Sequence, residues 1–274
     1  MPEATVSGDV TLHYEDTGGD GRPVVLIHGW PLSGRSWQAQ VPALAAAGYR
    51  VVTYDRRGFG ESDGPLTGYD YDQLSDDLAN LVEHLDLQDT TLVGFSMGGG
   101  EVARYLSRQG SDRIRSVVFA SAVPPYLLHG RDNPDGPLKK TEAAKMAASL
   151  TANRDAFFDS FITEFFSADG ELKVTEEQRQ EAIDMAQQAN KNAALQTMTA
   201  FGATDFRDDL AAVTVPTLVI HGDSDATVPF EGSGKRTHEA IPGSRLVVIA
   251  DGPHGVNVSH ADEFNEALLD FLAT

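Results

Sequence analysis

Short apolar runs rich in valine and isoleucine alternate along the chain with longer stretches in which apolar residues recur at helical spacing. The runs fall at residues 24–27, 49–54, 90–93, 116–120, 217–220 and 246–250. Apolar residues at consecutive positions mark strands that are covered on both faces. Between the runs, Leu74, Leu78, Leu81, Val82 and Leu85 repeat at the helical period behind Asp72, whose carboxylate suits an N-cap. Phe264, Leu268, Leu269 and Leu272 repeat in the same way near the end of the chain. This alternation predicts an α/β protein with a mostly parallel central sheet flanked by helices. Residues 4–16 read as an opening β-ribbon turning near Gly8-Asp9, and Gly18-Gly19-Asp20-Gly21 reads as a hairpin turn.

One segment breaks the alternation. Pro124-Pro125 is followed by a Gly/Pro/Asp-rich stretch through Pro137, the pattern from 139 to 201 is entirely helical, and strand pattern resumes after Val215-Pro216. About 80 residues without a strand are too many for a loop. They predict a helical cap at 124–205 inserted into a core domain made of 1–123 and 206–274.

Composition narrows the chemistry. The 274 residues carry 41 acidic against 21 basic side chains, a formal charge of -20 at pH 7. Such a surface repels phosphate backbones and anionic lipid headgroups, so neither nucleic acid nor a membrane is an expected partner. The chain has no cysteine, which excludes disulfides, thiolate metal sites and cysteine nucleophiles. No apolar run reaches the ~20 residues that span a bilayer. The first residues lack the basic and apolar regions of a signal peptide, so the expected location is cytoplasmic.

The strongest local signal is Gly94-Phe95-Ser96-Met97-Gly98, between a strand pattern and a helix pattern. G-x-S-x-G in that context is a nucleophile elbow, where glycines on either side allow a tight turn with the serine at its apex. A serine hydroxyl needs a base, and in this arrangement the base follows the last strand, with the acid lying between nucleophile and base in chain order. Of eight histidines, His254 occupies the loop 251–255 after the last strand run. His260 opens the last helix, His84 lies in a helical pattern, and His221 closes a strand, where it bonds backbone. The acid belongs to the loop His221-Gly222-Asp223-Ser224-Asp225; spacing alone leaves Asp223 and Asp225 equivalent. Two backbone N–H groups must receive the developing oxyanion. Met97, after the nucleophile, supplies one, and Trp30 in His28-Gly29-Trp30-Pro31 supplies the other.

Along essentially its whole length the chain resembles the α/β-hydrolase superfamily, and within it the bacterial aryl esterases and cofactor-free haloperoxidases, or perhydrolases. The resemblance is carried by His28-Gly29-Trp30-Pro31-Leu32, Tyr54-Asp55-Arg56-Arg57-Gly58-Phe59-Gly60-Glu61-Ser62, the Ser96 elbow through Tyr105, Thr204-Asp205-Phe206-Arg207, the Asp223-Ser224-Asp225 loop, and Pro253-His254-Gly255 with Ser259-His260-Ala261. It implies that the acid is Asp225, giving a Ser96–Asp225–His254 triad. It also implies that a proline after the oxyanion tryptophan, here Pro31, accompanies perhydrolysis, in which hydrogen peroxide replaces water and a peracid leaves. Asp55-Arg56-Arg57-Gly58 is then a structural turn with buried ion pairs. No cofactor is implied, and relatives of this kind form trimers or dimers of trimers.

Phe157, Phe161 and Phe165 at four-residue spacing share one helical face. With Trp30, Pro31, Val123, Phe201 and Val228 they are the candidates for the substrate pocket. An aromatic lining without a cation beside the triad points to a small, uncharged aryl or short-acyl ester. The alternatives are lactone, amide or C–C bond hydrolysis by the same triad, or a ligand receptor on a hydrolase scaffold.

Overall fold

Consecutive valine, isoleucine and leucine residues build strands whose two faces are both buried. The computed structural model describes residues 2–6 and 10–274. Its strands are β1 (Glu3–Thr5), β2 (Thr11–Asp16), β3 (Pro23–Ile27), β4 (Arg50–Tyr54), β5 (Thr90–Phe95), β6 (Ile114–Ala120), β7 (Ser167–Ala168), β8 (Glu171–Leu172), β9 (Thr217–Gly222) and β10 (Arg245–Ile249). Eight of them form one sheet in the order β1-β2-β4-β3-β5-β6-β9-β10. β1 and β2 pair antiparallel, as do β2 and β4, and the remaining pairings are parallel.

The helices are α1 (Gln40–Ala46), α2 (Tyr71–His84), α3 (Met97–Gln109), α4 (Lys140–Ala152), α5 (Arg154–Phe165), α6 (Glu176–Gln188), α7 (Lys191–Ala203), α8 (Arg207–Ala211), α9 (Gly234–Ala240), α10 (Val256–Ser259) and α11 (Ala261–Leu272). The period-two alternation of strand side chains divides the apolar runs between two cores. Val25, Ile27, Leu92, Val117, Phe119 and Val219 join Leu74, Leu78, Leu81 and Val102 of α2 and α3. Val24, Leu26, Val93, Phe95, Val118, Leu218 and Ile220 join Leu44 of α1 and Phe264 and Leu268 of α11. Each such side chain removed fully from water contributes about 1.5–3 kcal/mol. Among the described residues no helix is long and apolar enough to cross a membrane.

Three sequence expectations change. The N-cap of α2 is Asp70, whose Oδ1 accepts from the Gln73 N–H at 2.9 Å, rather than Asp72. Tyr71, the first residue of the helix, packs edge-on against Phe206 at 4.6 Å, and Asp72, already inside the first turn, pairs with Arg104 and Arg108. Gly18-Gly19-Asp20-Gly21 does not close a hairpin, because β4 lies between β2 and β3. Residues 139–201 are not helical throughout, since β7 and β8 form a small antiparallel ribbon between α5 and α6. Its turn is Asp169-Gly170, both at positive φ, the pair favoured in two-residue hairpin loops. The turn near Gly8-Asp9 lies outside the described residues.

Helices α4 to α7 enter the chain between β6 and β9. Ile162, Phe165, Phe166 and Ile183 of this insert belong to the same core as Phe264 and Leu268. Because β3, β5, β6, β9 and β10 run parallel, the loops that leave their C-terminal ends emerge along one edge of the sheet, where open α/β sheets bind ligands.

Candidate active site

Ser96 stands between β5 and α3 with φ 54 and ψ -117, a region that non-glycine residues seldom occupy. The flanking glycines make the turn sterically possible. A Cβ on Gly94 would lie 2.5 Å from the Gly98 carbonyl oxygen, and one on Gly98 would lie 2.6 Å from that of Ile27. Backbone bonds hold the apex: Ser96 N donates to Ala120 O at 2.8 Å, and Val123 N donates to Ser96 O at 3.1 Å.

The loop after β10 brings His254 to this serine. Its Nε2 lies 2.9 Å from Ser96 Oγ, and its Nδ1 lies 2.7 Å from Asp225 Oδ2. An ionised carboxylate only accepts, so Nδ1 carries the proton and Nε2 offers its lone pair to the serine hydroxyl. Asp225 Oδ1 accepts from Thr227 N at 3.0 Å and Val228 N at 2.7 Å. Burial alone would push this carboxyl up. The charge of His254, the bonds from His221 and His254 and the charge of His221 outweigh it, so the pKa is lowered to about 2. The two aspartates that spacing could not separate have different surroundings. Asp223 is exposed and accepts from Asp251 N at 2.8 Å, so it closes a surface turn.

The His254 ring packs against Phe95 at 5.2 Å and against Phe165 at 4.7 Å, edge to face. Phe165 also accepts from Gly255 N through its carbonyl, at 2.9 Å. The inserted helices therefore grip the histidine loop directly.

The loop after β3 passes beside Ser96. A Cβ on Gly29 would meet the Phe95 ring at 2.7 Å and Ser96 Cβ at 3.1 Å. Trp30 follows, joined to Pro31 by a cis peptide bond, and it lines the same cavity as Ser96. Met97 is the first residue of α3, so its N–H has no acceptor within the helix.

Beneath both loops lies a buried polar cluster. Arg56 donates through Nη2 to His28 O at 2.7 Å and through Nε to Glu101 Oε1 at 2.5 Å. Tyr54 donates its hydroxyl to Glu101 Oε2 at 2.7 Å, and Tyr71 donates to Met97 O at 3.0 Å. His28 Nε2 accepts from the Arg56 N–H at 3.0 Å. Burial, reinforced by the Arg56 charge, holds the His28 pKa well below the ordinary value, so the ring stays neutral. Arg57 pairs with Asp77 in the same buried layer. The stretch 55–58 is thus a structural turn with buried ion pairs.

The cavity above Ser96 measures about 420 Å³. Trp30, Val123, Phe161, Phe201 and Val228 line it, as does Phe157. Two expected members do not: Pro31 is buried beside the loop, and Phe165 turns onto His254 instead. Four residues overshoot a turn of 3.6, so the aromatic stripe drifts around α5 and its last member leaves the cavity. Pattern reasoning missed Glu142, Met146 and Glu164, which also line it. Glu164 could have been found at i+3 from Phe161, whereas nothing local marks Glu142 or Met146. The lining contains no lysine or arginine.

Comparison with known proteins agrees with this layout. Residues 22–261 match the family model described as the alpha/beta hydrolase fold. A putative non-heme chloroperoxidase of Synechocystis sp. is 47% identical over 99% of this chain and 100% of its own. A bifunctional esterase/perhydrolase of Acinetobacter calcoaceticus is 37% identical over 99% of each chain. The crystal structure of bromoperoxidase from Bacillus anthracis superposes with a TM-score of 0.97 at 56% identity, covering 100% of this chain and 99% of that one. A parallel sheet that delivers a strained serine, a histidine and an aspartate to one edge, in that spatial relation and over this length of match, places the chain in the α/β-hydrolase family.

Proposed function

We propose that this protein is a serine carboxyl-ester hydrolase that acts on small uncharged esters through an acyl-enzyme, with perhydrolase activity. The observation that carries the reading is the unbroken hydrogen-bonded chain from Ser96 Oγ, which opens into an aromatic-lined cavity, through His254 to buried Asp225. Ser96 attacks the ester carbonyl while His254 Nε2 takes its proton, and Asp225 stabilises the imidazolium that forms. The tetrahedral oxyanion is received by the N–H groups of Trp30 and Met97. His254 then protonates the leaving alcohol. In the second half, His254 takes a proton from water or hydrogen peroxide as that oxygen bonds to the acyl carbonyl, and gives it to Ser96 Oγ as the acyl–Oγ bond breaks, so an acid or a peracid leaves and Ser96 is restored.

The esterase/perhydrolase relative supports the use of both acceptors. Haloperoxidase activity, the name carried by the other relatives, follows if the released peracid oxidises halide in solution. The aromatic lining formed by Trp30, Phe157, Phe161 and Phe201 favours an aryl or short-acyl ester, and residues 124–205 act as the cap that shapes this cavity. The test is the initial rate of phenyl acetate hydrolysis by the protein and by Ser96→Ala, with peracid measured when hydrogen peroxide is added. Turnover should fall by roughly 10⁶-fold in the variant, as when other triads lose their nucleophile. Equal rates in the two proteins would overturn the reading.

A further inference from the structure

A second imidazole touches Asp225. His221, in β9, is fully buried. Its Nε2 lies 2.8 Å from the Val228 carbonyl oxygen and 3.2 Å from Asp225 Oδ2, the same oxygen that receives His254. Both neighbours are acceptors, so Nε2 must carry the proton. Nδ1 is buried with no hydrogen-bond partner. A proton on Nδ1 would have no acceptor, so the Nε2–H tautomer is the one the surroundings satisfy. The packing leaves no room to rearrange: a Cβ on Gly234 would lie 2.4 Å from this Nδ1, and the Phe230 ring sits 5.7 Å from the imidazole.

Three hydrogen bonds hold the Asp225 carboxylate, from Thr227 N and Val228 N to Oδ1 and from His254 to Oδ2, and His221 Nε2, which donates to Val228 O, stands 3.2 Å from Oδ2 as a further polar neighbour. We propose that His221 is a positioning residue for acyl transfer, its Nε2–H fixing the Asp225 carboxylate and drawing off part of the charge that Asp225 presents to His254. This rests on Ser96, His254 and Asp225 being the catalytic triad. The titratable groups facing His221 are Asp225 and, beyond it, His254; Asp223 is engaged with Asp251 N at the surface.

Two consequences separate this from a purely structural role. Without the His221 donor, Asp225 attracts the His254 imidazolium more strongly, so the acid limb of activity moves to higher pH. The carboxylate is also less firmly aimed, so the rate at the optimum falls. The experiment compares wild type with His221→Leu, His221→Gln and Ser96→Ala. It follows kcat/KM for phenyl acetate against pH, and the rate constant of inactivation by a fluorophosphonate against pH, which reports only folded enzyme.

His221→Leu should lower kcat/KM about tenfold at the optimum. Its acid limb should rise by about half to one pH unit, the equivalent of one buried hydrogen bond. Glutamine extends its Nε2 to nearly the same place, so His221→Gln should recover most of both. If the leucine variant fails to fold, His221→Asn, whose shorter amide is withdrawn from Asp225, takes its place in the comparison. A lowered rate with an unmoved acid limb, an unchanged rate, or a glutamine variant no better than leucine would each overturn the proposal. Ser96→Ala distinguishes the deeper failure: if it retains activity, the triad itself is wrong and the role of His221 falls with it.

Discussion

Replacing Glu101 by glutamine tests how the two loops that flank Ser96 are held together. Arg56 and Glu101 each keep only 1% of their side-chain surface exposed. Arg56 is bonded to the Glu101 carboxylate and to the His28 carbonyl, and Tyr54 donates to the other carboxylate oxygen. The guanidinium cannot shed its proton at any workable pH, so Glu101→Gln strands a cation in the interior. Breaking a buried pair in this way costs about 3–5 kcal/mol. Total stability is typically about 5–15 kcal/mol, so a large share of it is at stake. At this chain length the melting temperature should fall by roughly 10 °C.

Urea unfolding followed by tryptophan fluorescence and circular dichroism gives the loss directly, provided the dependence on urea keeps its slope. The companion variant Arg56→Met/Glu101→Leu removes both charges. It leaves the Tyr54 hydroxyl and the His28 carbonyl short of a partner, at about 1–3 kcal/mol each, and should still be more stable than Glu101→Gln. A loss below about 1 kcal/mol in Glu101→Gln would match a solvated surface pair and refute the reasoning. A double variant as unstable as the two single losses added together would refute the coupling between the charges.

Two further outcomes follow from the same geometry. In Gly98→Ala the new Cβ is forced to within 2.6 Å of the Ile27 carbonyl oxygen. Overpacking against backbone should cost about 1–3 kcal/mol and open the elbow, so phenyl acetate hydrolysis should collapse while circular dichroism still shows an α/β protein. Asp225 has a folded-state pKa of about 2 against an ordinary 3.8. Its carboxylate therefore contributes stability above pH 3.8 that is lost as the pH falls toward 2. Between those values wild type should lose stability more steeply than Asp225→Asn in acid-unfolding titrations; parallel curves would contradict the assignment.

Much of this molecule is written in local patterns, because local physics decides them. Strands with apolar residues on both faces need cover on both faces, so residues 24–27, 90–93 and 217–220 announce a layered parallel sheet without reference to anything distant. The elbow pattern is equally legible, although only Gly94 is required by a contact within the turn that holds Ser96, while Gly98 is required by the Ile27 carbonyl of the neighbouring strand. Strands that all deliver their loops to one edge allow Ser96, Asp225 and His254, far apart along the chain, to meet there.

What remained open depended on partners far apart in sequence. Spacing leaves Asp223 and Asp225 equivalent and the family resemblance points to Asp225; the approach of His254 shows that this carboxylate is the buried one and that Asp223 closes a surface turn. Asp72 and Asp70 are equally good caps by type; the structure caps the helix with Asp70 and pairs Asp72 with Arg104 and Arg108, more than 30 residues away along the chain. Phe165 carries the same periodic signal as Phe161, yet one packs on His254 and the other lines the cavity. His221 read as a strand-end residue bonding backbone, which it does through Val228, and its contact with Asp225 exists only once the loop after β9 has folded over it. Burial and hydrogen bonding are properties of assembled neighbours, so the sequence determined the scaffold and the turn that carries Ser96, and the tertiary structure decided what the residues around it touch.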